Sequence, residues 1–152
     1  MTPEQRTALE ALVGRALTAE EVDQITPMVQ FRMLQAIANV LSVGRTRVAS
    51  HFASERGILE RFPAGPVAAD ALLAKLEAYA EAAQPLSRIT ARAIRFLRHP
   101  EGLDIGSPAA QAMLSAINQA GVITAEEFAG LRAMATQPNP ITDGQVAAAL
   151  GV

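Results

Sequence analysis

A chain of 152 residues, half of them apolar and 18% charged, carries enough hydrophobic surface for a core, which excludes an intrinsically disordered polymer. Its lack of cysteine excludes disulfides, thiolate metal sites and a cysteine nucleophile, and its net charge of −2 argues against nucleic acid as the principal partner. Thirty-one alanines against five Phe, one Tyr and no Trp point to closely approaching helices rather than sheets.

The first helix is predicted over 3–13, opened by Thr2 and Pro3 and stopped by Gly14. Thr18 with Glu21 forms a capping box for a helix over 19–25, and Thr26-Pro27 reads as the start of a second one over 27–42, ended by Gly44. The segment Arg45 to Phe52 interleaves Thr46, Val48 and Ser50 with Arg47, Ala49 and His51, and is predicted as an extended loop or small strand. Helices follow over 54–61, 66–83 and 86–99, punctuated by Pro63, Pro85 and Pro100. The last three are predicted over 108–120, 125–136 and 143–150, opened by Ser107-Pro108, Thr124 with Glu127, and Thr142 with Gln145. The expectation is an all-α fold: a compact single domain over 1–152 built as a multi-helix bundle of about seven to nine helices, several short, with 27–42, 66–83 and 86–99 at its centre. The uncharged run from Ile105 to Ala125 contains Gly106, Pro108, Gln111, Asn118 and Gly121, so no membrane span is expected. Met1 to Glu10 lacks an apolar signal-peptide centre.

The small net charge hides a segregation. Met1 to Gln30 sums to −3 and Glu101 to Val152 to −4, whereas Phe31 to Pro100 sums to +5. Within that middle, Arg88, Arg92, Arg95 and Arg98 recur at spacings of four, three and three along one helix, with Leu86, Ile89, Ala93, Phe96 and Leu97 assigned to its opposite, buried face. Like charges at these spacings repel, so either carboxylates of the acidic ends pack over them or an acidic partner does. These four arginines, with Arg45 and Arg47, are the candidate partner-binding residues. Scattered aromatics provide no stacking platform, which leaves nucleic acid the lesser reading.

Catalytic chemistry finds little support. The two histidines, His51 and His99, have no metal-ligand spacing, and no nucleophile elbow, Walker loop or dinucleotide fingerprint is present. Glu101 and Asp104 form the one carboxylate pair resembling a glycosidase dyad, but a sugar platform of Trp and Tyr is missing, so their loop reads as a connection anchored by Leu103 and Ile105. The expectation is therefore a protein that is not an enzyme, with no metal and no cofactor.

The stretch Leu17 to Val48, with Leu17-Thr18-Ala19-Glu20-Glu21-Val22 and Leu41-Ser42-Val43-Gly44-Arg45-Thr46-Arg47-Val48, resembles a family of uncharacterised phage and prophage proteins encoded among virion genes. Gly102-Leu103-Asp104-Ile105-Gly106-Ser107, Gly121-Val122-Ile123-Thr124 and Gln137-Pro138-Asn139-Pro140-Ile141-Thr142 are similar to the same family, so the likeness covers most of the chain. Its motifs are caps, turns and glycines, and no active site carries over. One departure is Met33-Leu34 after Arg32, where the family commonly has a polar or acidic residue. The resemblance implies a small helical virion structural or assembly protein, such as a head–tail connector or tail accessory component, located in the virion or in the host cytoplasm during assembly. Its partners would be other virion proteins or further copies of itself as a homo-oligomer. The alternative reading is a soluble regulatory or inhibitory binding module.

Overall fold

Threonine opens four of the helices. At each, its hydroxyl accepts the backbone N–H three residues on, while the Gln or Glu there accepts the threonine N–H in return. The computed structural model describes residues 1–152 and contains α1 Pro3–Val13, α2 Ala19–Gln30, α3 Leu34–Ser42, β1 Thr46–Val48, β2 Phe52–Ala53, α4 Glu55–Arg61, α5 Pro66–Glu81, α6 Ser87–Arg98, β3 Leu103–Asp104, α7 Pro108–Gln119, α8 Ala125–Met134, β4 Thr136–Pro138 and α9 Asp143–Leu150. The fold is mostly helical, but four short strands correct the strict all-α expectation. β1 pairs with β4, and β2 runs antiparallel to β3, placing Phe52 opposite Asp104 and Ala53 opposite Leu103. Thr46 and Val48, whose β-branched side chains suit extended backbone, lie in the segment predicted as loop or strand.

One helix boundary departs from the expectation. Thr26 does not cap a helix: its hydroxyl donates to the Val22 carbonyl one turn back, so α2 continues through Pro27 to Gln30. Proline there removes the bond to the Asp23 carbonyl, yet the helix tolerates it. The break comes five residues later. The Met33 N–H bonds the Met28 carbonyl at 2.9 Å and the Arg32 N–H the Val29 carbonyl at 3.2 Å, with Arg32 at φ 50°, a helix-terminating arrangement in which glycine usually takes the left-handed position. The expected helix over 27–42 is thus the end of α2, a tight corner and α3.

The chain is laid out as two compact units, Met1–Arg47 with Pro138–Val152, and Val48–Gln137, each with its own apolar core. In the first, α3 packs on α2 and α9, and α9 on α1, around Leu9, Ile25, Ile37, Leu41 and Val146. In the second, α5 packs on α4 and α6, and α7 on α8, around Ile58, Leu72, Ile94, Leu97, Leu114 and Ile117. α3 therefore belongs to a different core from α5 and α6, so the three helices expected at one centre do not share one. The segregation of charge along the sequence does not become a segregation between units: the first carries six acidic and five basic side chains, the second nine and eight.

In the second unit, the loop after α6 is held by close backbone approach. A Cβ on Gly106 would lie 1.7 Å from the Ala49 carbonyl oxygen, so only glycine fits there. The neighbouring Asp104 carboxylate accepts the His51 N–H and the Ser50 hydroxyl, both at 2.8 Å, and the Gly106 N–H at 3.1 Å. These bonds, the His51 amide first, hold its carboxyl below the usual aspartate range. No helix of the protein is long and apolar enough to cross a membrane, and the uncharged run at 105–125 is divided by the loop before α7 and the turn after it.

Candidate protein-interaction face

The sequence of α6 gives it two sides. Thr90, Ala93, Ile94 and Leu97 are buried, and the one polar member of that face satisfies itself by donating from its hydroxyl to the Leu86 carbonyl at 2.9 Å. Ser87, also buried, is held by the Tyr79 carbonyl and the Gln84 N–H. At 100° per residue, the solvent side brings Arg95, Arg88, His99 and Arg92 into a stripe, with Phe96 and Ile89 along its edge. Ile89 and Phe96, expected on the buried side, are 47% and 57% exposed. The expectation failed because Thr90 and Ile94 offer the core a better-fitting stripe than Ile89 and Phe96, and a self-bonded threonine can be buried as readily as an apolar residue.

The four arginines of this helix have different surroundings. Arg98, at the edge of the stripe, donates to Glu55 at 2.8 Å and to Glu77, and the Glu55 carboxylate foremost raises its pKa. Both partners come from the middle of the chain rather than from its acidic ends. Arg88, Arg92 and Arg95 enter no salt bridge and are exposed. Beside them, Ile89 and Phe96 line a shallow apolar groove with Leu103, Ala110 and Met113. Phe96 also borders a second depression with Arg92, Arg95 and His99.

The other two candidates lie in the first unit. Arg45 is half-buried and donates to the Leu12 carbonyl at 3.3 Å, which ties it to its own core, whereas Arg47 on β1 is exposed and without an ion pair. The sequence reading passed over a further exposed feature of this unit, the corner between α2 and α3, where Phe31 is 76% and Met33 50% exposed. Absence of glycine hid that corner, since its turn is made by Arg32.

His99, Asp104 and Glu101 have different surroundings. His99 terminates α6, and its Nδ1 accepts the Glu101 N–H at 3.4 Å. The Asp104 carboxylate is held by Ser50, His51 and Gly106, while Glu101 is exposed and without an ion pair. No group of three or more His, Asp or Glu side chains is placed to hold a metal ion. Comparison with protein-family models, with curated proteins and with solved structures found no match to this chain.

Proposed function

We propose that this protein works by binding other proteins, through the solvent face of α6, as a structural or assembly component of a phage particle. The observation that supports this reading is the juxtaposition of three unpaired arginines with exposed Ile89 and Phe96 on one helix. Like charges three and four residues apart disfavour their own helix, and an exposed Phe gains nothing in water, so both features find compensation in a bound acidic and partly apolar surface. The assignment to a virion rests on the resemblance carried by Leu17 to Val48 and by Gly102 to Ser107.

Incorporation into purified particles tests it, comparing the wild-type chain with Arg92→Glu/Arg95→Glu and with Arg132→Glu on α8. The α6 variant is expected to fall in occupancy by about tenfold, and the α8 variant to match wild type. Equal incorporation of all three chains would refute α6 as the working face.

A further inference from the structure

We infer that the α6 face receives the exposed face of α2 from a second copy of this chain. The inference rests on the reading of α6 as a protein-binding face and supplies its partner.

The counterpart surface is built by the same helical geometry. On α2, Glu20, Gln24, Pro27 and Phe31 follow one another at spacings of four, three and four, and all are exposed, with Asp23 beside them. Glu20 and Asp23 enter no salt bridge, unlike Glu21, which is turned to Arg15 at 2.6 and 2.8 Å. The face therefore offers two carboxylates without an ion pair, Glu20 in its first turn, which accepts from the Gln24 amide at 3.4 Å, and Asp23 in the next, and at its end the exposed Phe31, with Met33 at the corner beyond. The α6 face offers the complement: three free guanidinium groups, with Ile89 and Phe96 along their edge.

Extents agree as well. From Glu20 to Phe31 the α2 face runs about 16 Å, and from Arg88 to His99 the α6 face runs the same distance, at 1.5 Å per residue. Arginine suits such a contact because its guanidinium is weakly hydrated and pairs bidentately with carboxylates. Because the two faces are different patches, the α6 of one copy meets the α2 of another, which closes as a symmetric pair or a ring or runs on as an open chain.

The corner at Phe31 to Met33 gains an explanation here. Arginine at a left-handed position is strained where glycine would not be, and glycine would leave the corner more flexible. A stiffer corner keeps Phe31 and Met33 presented at the end of the acidic face.

Sedimentation velocity over micromolar to several hundred micromolar protein tests the inference, with circular dichroism to verify folding of each variant. Wild type is expected to sediment as species larger than one chain, shifting toward monomer as salt is raised. Arg92→Glu/Arg95→Glu and Glu20→Arg/Asp23→Arg are each expected to weaken association by about tenfold or more, since each sets like charges against one another. An equimolar mixture of the two variants is expected to associate again, because each reversed face then meets its complement on the other chain. Monomeric wild type at every concentration, association indifferent to both reversals, or no recovery on mixing would each overturn the α6–α2 contact. If the wild type is monomeric but the α6 reversal still removes it from particles, the self-contact falls while α6 remains a face for another protein.

Discussion

Gly106 lies where the loop after α6 crosses the backbone at Ala49, and the obstruction to any side chain there is a carbonyl oxygen rather than a flexible group. Gly106→Ala is expected to destabilise the second unit by about 3 kcal/mol, read as a lower denaturation midpoint, because backbone must move to admit the methyl. Glu21 sets a different kind of dependence. Its hydrogen bonds from Arg15, ahead of the Thr18 amide, lower its pKa from 4.5 to about 2. A carboxyl whose folded pKa is depressed contributes stability above its unfolded value and loses it as pH falls through the folded one. Acid unfolding should therefore steepen between pH 4.5 and 2, and Glu21→Gln should lower stability above pH 4.5 and flatten that limb, the two proteins converging toward pH 2, as measured by denaturant titrations across the range. Of these two, Glu21 was legible as a capping residue from Thr18 three positions earlier. The place of Gly106 was not, since nothing local announces a contact with Ala49, more than fifty residues away.

At the level of elements, the α2–α3 boundary distinguishes what caps and breakers can and cannot tell. Thr18 and Thr26 look alike in sequence, each preceding a helical pattern, but only Thr18 satisfies an orphan amide. Thr18→Ala is expected to cost about 1 kcal/mol and Thr26→Ala distinctly less, while Arg32→Gly, which relieves the left-handed arginine, is expected to leave stability unchanged or raise it by up to about 1 kcal/mol. Thermal or denaturant melts of the three variants check this ordering. The starts of α1, α8 and α9 were legible because reciprocal side-chain and backbone bonds are local chemistry. Helix ends set by tertiary packing were not, and the buried side of α6 depended on whether Thr90 could satisfy its own hydroxyl. The arginines themselves could be read from spacing, whereas the neighbouring exposure of Ile89 and Phe96 could not, because it follows from which stripe the core selects.

At the scale of the whole molecule, two cores replace the single centre expected from the helix pattern. Hydrophobic periodicity identifies which side of a helix is buried but not which other helix it meets, so α3 could not be separated from α5 and α6 by its sequence. Leu72→Ala is expected to cost about 2–5 kcal/mol and to raise amide hydrogen exchange within Val48–Gln137, whereas Leu41→Ala should do so in the first unit, each substitution leaving a cavity in its own core. The charge pattern changes meaning at this scale too. A basic middle and acidic ends become two units of nearly balanced charge, and among the side chains left without an ion pair are the arginine stripe of α6 and Glu20 and Asp23 of α2. On the reading we propose, a protein built in this way acts by what it binds. Quantitative mass spectrometry of purified phage particles measures this most directly: the account predicts this chain in multiple copies per particle, reduced by Arg92→Glu/Arg95→Glu, and its absence from particles would contradict the account.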